Sequence, residues 1–420
     1  MDSLAVLSMH TSPLAQPGSG DGGGMNVYVR ELSAALARVG VRCEVFTRTE
    51  RPGQPRSVSV EPGLVVHHVP AGPASAVAKE RLPDLVDEWT CNVSDRLQAL
   101  ADGGRPVDAI HANYWLSGLA GHRLKHQLDV PLISTFHTLD RVKAEASPEE
   151  LSVAEPARRA LAEAEIVGCS DAVLASCLVE AEQLVAIYGA DPDRTLIVPP
   201  GVDHAFFAPG DQQQARRAIG LPTSDPLVCF VGRIQPLKGV AVAIEALGHI
   251  TSRGGRLAGT AMVVVGGPSG PHGAEELARA RALVTSAGLA GRVHWVPPQR
   301  HEILSSYYRA ADVCVVPSRS ESFGLVALEA GACGVPVVAA AVGGLSTLVD
   351  DGHTGVLVDD HEDALAYAEA LATILADPAR ARAMGGAAAQ RAGAYTWASA
   401  ARRLRARCRE LTSRQLVACR

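Results

Sequence analysis

The stretch Leu227-Val-Cys-Phe-Val-Gly232-Arg233-Ile-Gln-Pro-Leu-Lys238-Gly239 sets the terms for the whole chain. Five apolar residues closed by Gly232 make a short strand buried on both faces, the kind found in parallel sheets. Pro236 and Gly239 shape a turn, and the apolar spacing that follows is helical. Strand, turn and helix together are the opening of a βαβ unit. Apolar β-rich runs at 4–9, 43–47, 65–69, 108–111, 132–136 and 173–175 precede it, separated by helical runs such as 28–39, 116–126 and 178–188. Further runs at 261–265, 293–296, 313–316 and 335–339 follow it, again interleaved with helices. The pattern predicts an α/β protein made of two doubly wound, Rossmann-like domains. Pro, Gly and Asp cluster in Val198-Pro-Pro-Gly-Val-Asp203 and Pro209-Gly-Asp211, so the domains are expected at 1–203 and 204–396. A last helix over 397–411, Arg-rich on one face, begins a segment 397–420 that either stays with the second domain or crosses back to the first.

A chain of 420 residues, 47% apolar, has ample material for two packed cores. The formal net charge of -6 is mild and argues against a surface for nucleic acid. No apolar run is long enough to span a membrane, and residues 4–8 are too short for the apolar part of a signal peptide, so a cytoplasmic protein is expected. Nine Cys without a C-x-x-C pair read as reduced thiols rather than a disulfide scaffold or zinc site. Lysine occurs only at 79, 125, 143 and 238, against 35 Arg, which draws attention to each retained Lys.

Arg233 and Lys238 lie just beyond a strand's carboxyl end and ahead of a helix, where open α/β sheets bind ligands. Two cations there suit a diphosphate, and a surface salt-bridging pair is the plain alternative. Glu321-Ser-Phe-Gly-Leu-Val-Ala-Leu-Glu329 places one carboxylate at a helix mouth and another two turns in. Both suit the paired hydroxyls of a sugar or ribose; a solvated helix with two surface Glu is the plain alternative. Gly18, Gly20 and Gly23 formally satisfy G-x-G-x-x-G. Several loop residues separate them from the preceding strand, which disfavours a dinucleotide fingerprint and favours a loop of exposed N–H groups above a helix N-terminus. Asp191-Pro-Asp193 is a formal D-x-D, read as a turn and not as a metal site.

Arg233, Lys238, Glu321 and Glu329 together resemble the donor site of the retaining GT-B glycosyltransferases of family GT4. The resemblance extends to Gly266-Gly-Pro-Ser-Gly270, Pro317-Ser318 and Val342-Gly-Gly344, and covers almost the whole chain. It implies a GT-B architecture, two Rossmann-like domains facing across a cleft. Arg233 and Lys238 would hold a nucleotide-sugar diphosphate, Glu329 the ribose, and Glu321 would lie against the sugar. His137 matches the histidine near the donor sugar's hydroxymethyl group. The leaving diphosphate would help deprotonate the acceptor on a front-face path. No metal is then required for the chemistry, and Mg²⁺ dependence and a homodimer stay open.

A narrower resemblance is to the D-inositol-3-phosphate glycosyltransferases of mycothiol synthesis. It rests on Ser8-Met-His-Thr-Ser-Pro-Leu14, Gln16-Pro-Gly18, Gly22-Gly-Gly-Met-Asn-Val-Tyr28, Tyr114-Trp-Leu-Ser-Gly118 and His137-Thr-Leu139. The resemblance implies transfer of N-acetylglucosamine from UDP-GlcNAc to 1D-myo-inositol 3-phosphate. Lys79, Tyr114, Thr138 and Arg158 would grip the acceptor phosphate, a sensible set of two charges and two hydroxyls. His10 and Asn26 match positions contacting the inositol, while Gln16, Pro17 and Gly24 match positions approaching the donor. Gly72-Pro-Ala74 and Leu139-Asp-Arg-Val-Lys-Ala-Glu145 depart from the family pattern, and both lie toward the acceptor. Another GT4 transferase with a different nucleotide sugar, or with an aminocyclitol or other sugar-phosphate acceptor, is the main alternative. An NAD-dependent oxidoreductase is the rival from another class.

Overall fold

A computed structural model describes residues 2–18, 22–146, 156–221 and 224–419. The chain divides into two compact units. Met1–Ala15, Gly24–Pro200 and Trp397–Arg420 form the first; Gln16–Gly23 and Gly201–Thr396 form the second. The division at Pro200 and Gly201 falls within the Pro- and Gly-rich segment singled out above.

The first unit is built on β1 (Ser3–Leu7), β2 (Arg42–Arg48), β3 (Ser57–Glu61), β4 (Leu64–Val69), β5 (Ala109–Asn113), β6 (Leu132–Thr135), β7 (Ala172–Ala175) and β8 (Thr195–Ile197). Their order across the sheet is β3-β4-β2-β1-β5-β6-β7-β8. All pairs are parallel except β3 with β4, a hairpin turned at Pro62-Gly63 on the sheet edge. The central strands are buried along their whole length, which is why they read as continuous apolar runs. Because β2 and β5 flank β1 on opposite sides, the winding reverses beside β1. The carboxyl ends of β1 and β5 therefore diverge around a crevice.

The second unit repeats the plan with β9 (Leu227–Val231), β10 (Ala261–Val265), β11 (Val293–Val296), β12 (Val313–Val316), β13 (Val337–Ala340) and β14 (Gly355–Val358). The order β11-β10-β9-β12-β13-β14 is wholly parallel and reverses at β9. The two doubly wound sheets are those the sequence predicts; β3, β8 and β14 are additional. Among the described residues no helix is long and apolar enough to cross a membrane.

The helix Trp397–Leu411 lies in the first unit. Its stripe of Trp397, Ala400, Ala401, Leu404, Cys408 and Leu411 is buried, and it packs on the helix Gly24–Arg38. Trp397 meets the Tyr28 ring edge-on at 5.9 Å, and Arg405 Nη1 donates to the Val39 carbonyl at 2.8 Å. The arginines of its outer face account for the charged appearance of the sequence.

Seven cysteines are free, but Cys169 and Cys419 are joined by a disulfide. The expectation of nine reduced thiols is thus corrected for this pair. Their partnership is invisible in sequence spacing because it depends on the carboxyl-terminal segment returning to the first unit.

Leu404 is fully buried, so Leu404→Ala should destabilise the first unit by ~2–5 kcal/mol. Urea unfolding followed by tryptophan fluorescence checks this, since Trp89, Trp115 and Trp397 all belong to that unit. A change under about 0.5 kcal/mol, the usual surface effect, would contradict the packing of this helix.

Candidate functional site

In the second unit the chain leaves β9 through Gly232 and Arg233, makes the tight turn Pro236–Lys238, and enters the helix Val240–Ser252 at Gly239. Gly239 has φ +69°, and a Cβ there would collide with the Pro317 carbonyl just beyond β12. Only glycine permits that approach without strain, so the loop sits flush on the neighbouring strand end. Lys238 Nζ reaches Glu321 Oε2 at 2.5 Å, with both side chains one-fifth exposed. Glu321 is itself anchored by its backbone: its carbonyl accepts from Gly344 N at 2.9 Å. Gly343, at φ +48°, lets that strand-to-helix turn close against the same carbonyl.

Glu329, on the helix Leu325–Ala332, is buried. The Tyr308 hydroxyl donates to its Oε2 at 2.9 Å, and His301 Nε2 lies 3.8 Å from Oε1. Burial raises its pKa, while His301 and the Tyr308 hydrogen bond oppose the rise. The carboxylate is therefore oriented by two residues of the helix His301–Ala310, neither of which the sequence marks as functional. Of the glycine-rich loop, Gly18 abuts Pro298 and Gly267, and a Cβ on Gly23 would lie 3.5 Å from Arg233 Nε. Gln16, Pro17 and Arg233 thus belong to one compact body with Lys238, Glu321 and Glu329.

In the first unit, polar groups gather at the carboxyl ends of β1, β5 and β6. Tyr114 and His137 follow β5 and β6 with φ of 75° and 63°, two of the three described non-glycine residues at positive φ. Such backbone costs of order 1–3 kcal/mol per residue and persists where its surroundings enforce it. Here Tyr114 N donates to the Thr135 carbonyl at 2.8 Å, and His137 Nε2 pairs with Asn113 Oδ1 at 2.9 Å. His10 lies against the Tyr114 ring, with centroids 4.9 Å apart. Asn26 Nδ2 donates to Thr11 Oγ1 at 2.8 Å and to the Ser12 carbonyl at 2.5 Å, pinning the loop after β1 to the helix that begins at Gly24.

The arginine that joins the Tyr114 and Thr138 hydroxyls is Arg159. Its Nη1 donates to the Tyr114 hydroxyl at 3.1 Å and its Nη2 to Thr138 Oγ1 at 3.1 Å and to the Thr138 carbonyl at 2.8 Å. The guanidinium also covers the Tyr114 ring at 4.9 Å. It is buried, and Nε donates to Glu163 Oε1 at 2.8 Å. Burial alone would lower its pKa, but Tyr114, Glu163 and Asp140 raise it. Arg158, the position singled out in sequence, is exposed and reaches Asp84 Oδ1 at 3.4 Å. Asp84 lies in the short 3-10 helix Lys79–Leu85, so Arg158 borders the segment that Lys79 begins. The sequence-level clue to Arg159 is its i,i+4 spacing to Glu163, which Arg158 lacks.

Asp191-Pro-Asp193 is a local cap: Asp191 Oδ1 accepts from Asp193 N at 2.9 Å and Oδ2 pairs with Arg194 Nε at 3.1 Å. The turn assignment accounts for both carboxyl oxygens of Asp191.

Two family models match the chain. "Glycosyl transferase 4-like domain" matches residues 23–201 and "Glycosyl transferases group 1" residues 211–391. The D-inositol 3-phosphate glycosyltransferase of Xylanimonas cellulosilytica is 47% identical, covering 95% of this chain and 94% of that protein. The enzyme of the same name from Acidothermus cellulolyticus is 46% identical over 92% and 85%. Among solved structures, sucrose-phosphate synthase from Thermosynechococcus elongatus is similar with a TM-score of 0.86 and 35% identity, covering 98% of this chain and 99% of the other. Anabaena Alr3699/HepE in complex with UDP-glucose shares the fold at a TM-score of 0.74 and 19% identity, over 97% and 100%.

Burial pushes His111 and His137 from 6.5 down to about 3, with the charge of His111 adding to the effect on His137. Between those values the unfolded chain binds more protons than the folded one, so stability rises with pH through the window and is lost on acidification. Urea unfolding from pH 6.5 down to about pH 5 should show this loss, and a His111→Asn variant should show a shallower dependence. An unchanged slope in the variant would contradict the neutral, buried imidazole.

Proposed function

This chain belongs to the D-inositol 3-phosphate glycosyltransferase family, and we propose that it transfers N-acetylglucosamine from UDP-GlcNAc to 1D-myo-inositol 3-phosphate with retention of configuration. Its two Rossmann-like units are those of the GT-B glycosyltransferase fold, and it is a glycosyltransferase. The observation that carries the donor half is the Lys238–Glu321 pair, 2.5 Å apart, which joins the loop after β9, held flush by Gly239, to the loop after β12.

Without ligand, Glu321 neutralises Lys238. A diphosphate offers Lys238 more negative charge, and each charge-assisted contact from Arg233 or Lys238 is worth about 1.5–3 kcal/mol. Glu321, relieved of its cation, then accepts hydrogen bonds from the sugar hydroxyls. Glu329, with Oε2 fixed by Tyr308, accepts from the ribose. Gln16, Pro17 and Gly24 border the donor. Arg233 and Lys238 stabilise the charge that develops on the departing UDP, which is where fixed cations lower a barrier most. Those two residues supply the cationic stabilisation, so on this reading the transfer itself needs no metal.

On the acceptor side, Lys79 and Arg158 supply charge to the phosphate, while the Tyr114 and Thr138 hydroxyls supply direction. Arg159 holds both hydroxyls in place and spends its own donors doing so. His10 and Asn26 contact the inositol. His137, a neutral imidazole, meets the donor's hydroxymethyl group without placing a second positive charge beside the sugar. A different phosphorylated polyol is the second reading, favoured by the 35% identity to sucrose-phosphate synthase.

Calorimetry with each ligand separates these roles. Lys79→Ala should weaken inositol 3-phosphate by about 1.5–3 kcal/mol and leave UDP affinity unchanged; equal loss of both ligands would refute the acceptor assignment. Glu329→Ala should weaken UDP, and unaltered UDP affinity would refute its ribose role. Arg159→Lys keeps the charge but not the planar fork. It should weaken inositol 3-phosphate by more than it weakens unphosphorylated inositol, and a uniform effect would remove Arg159 from the phosphate site.

A further inference from the structure

The carboxyl-terminal segment after the helix Trp397–Leu411 is fastened to the first unit by groups unrelated to sugar transfer. Lys125 is fully buried on the helix Trp115–Leu128. Its Nζ donates to the Cys169 carbonyl at 2.8 Å and to the Val417 carbonyl at 2.9 Å, and pairs with Asp171 Oδ2 at 3.0 Å. Asp171 Oδ1 accepts from Val417 N at 2.7 Å. One ion pair therefore holds the backbone at Cys169 and two residues before Cys419. It brings the two Cα atoms to 4.9 Å.

Two imidazoles stand beside these sulfurs, His122 close to both and His126 against that of Cys419. His122 and His126 stand one turn apart on the helix Trp115–Leu128, with ring centroids 5.4 Å apart. Ligand atoms of His122, Cys169 and Cys419 all lie within 4.8 Å of one another. His126 Nε2 is 3.1 Å from Cys419 Sγ. A disulfide needs only the two cysteines; it gives no reason for two histidines at helical spacing to face it. Tetrahedral zinc, with bonds of 2.0–2.3 Å, separates its ligand atoms by about 3.3–3.8 Å; His122, Cys169 and Cys419 form a cluster near that spacing, and His126, against Cys419 Sγ, stands beside it as the fourth donor. Glu165 Oε1 lies 3.1 Å from His122 Nδ1. That contact fixes the proton on Nδ1 and leaves Nε2 to the metal, the carboxylate–histidine arrangement common behind zinc ligands.

We propose that, in the reduced protein, His122, His126, Cys169 and Cys419 bind one zinc ion that clasps the carboxyl-terminal segment to the first unit. Metal entry releases the two thiol protons, so two thiolates balance the dication; Asp171 already balances Lys125. The disulfide uses the same two sulfurs, so the oxidised form and the metal-bound form exclude each other. The four ligands complete the coordination sphere, and the site is a structural one with no position left for a substrate.

The test uses the full chain, reduced with a phosphine, freed of metal and titrated with Co²⁺ and then Zn²⁺. Wild-type protein should bind about one Co²⁺ with the intense visible bands of a tetrahedral thiolate site, bleached by one equivalent of Zn²⁺. Cys419→Ser and His122→Ala should abolish those bands, whereas Cys91→Ser, at an exposed free thiol, should keep them. Glu165→Ala should bind zinc about 10-fold more weakly while retaining the spectrum. Cys419 lies in the terminal segment, beyond the buried helix, so its variant is expected to fold; far-ultraviolet circular dichroism and UDP affinity equal to wild type establish that it has. A reduced wild-type protein without the cobalt bands, or a folded Cys419→Ser variant that keeps them, overturns the proposal.

Discussion

A parallel sheet covered on both faces has few places to present polar groups, and the carboxyl ends of its strands are the chief one. There the chain must leave the ladder, turn and start a helix, so backbone N–H groups and loop side chains become available together. Both units obey this constraint. In the first, the loops after β1, β5 and β6 bring His10, Tyr114 and His137 to one end of the sheet. In the second, the loops after β9 and β12 bring Arg233, Lys238 and Glu321 to the corresponding end. The rest of each unit, from its apolar strands to the helices that cover them, keeps those ends in register.

The two ends solve the problem of holding charge differently. In the second unit Lys238 and Glu321 neutralise each other while partly exposed, an arrangement that a charged ligand can enter by exchange. In the first, Arg159 is sunk among Glu163, Asp140, Tyr114 and Thr138. Removing a buried cation from such a set would strand its carboxylates, so it serves as a fixed post rather than an exchangeable ligand. The strained backbone at Tyr114 and His137 is tolerated because hydrogen bonds to Thr135 and Asn113 hold it from neighbouring strands.

Much of this was legible in the sequence because buried parallel strands announce themselves as apolar runs. The strands that escaped notice carry weaker signals. β3 alternates Ser and Val on a hairpin edge, β8 has three residues, and β14 opens on glycine. The candidate donor residues stand out in the sequence because the spacings within 233–238 and 321–329 are local and survive folding as local geometry. What sequence could not show depends on long-range approach. Tyr308 and His301 orient Glu329 from another helix. Arg159 and its neighbour Arg158 differ in which one turns inward, a difference that the sequence marks only by the i,i+4 spacing of Arg159 to Glu163. Cys169 and Cys419, 250 positions apart, meet only because the last helix rejoins the first unit.

Phosphate recognition at the ends of β5 and β6 is the claim on which the acceptor assignment rests. The most direct measurement is UDP release from UDP-GlcNAc with inositol 3-phosphate, unphosphorylated inositol and an aminocyclitol compared side by side. Turnover confined to inositol 3-phosphate, with kcat/KM higher than for inositol by a factor of at least about 100, is the expected result, since two cations and two hydroxyls would otherwise face no anion. Equal turnover on inositol and its phosphate would contradict it.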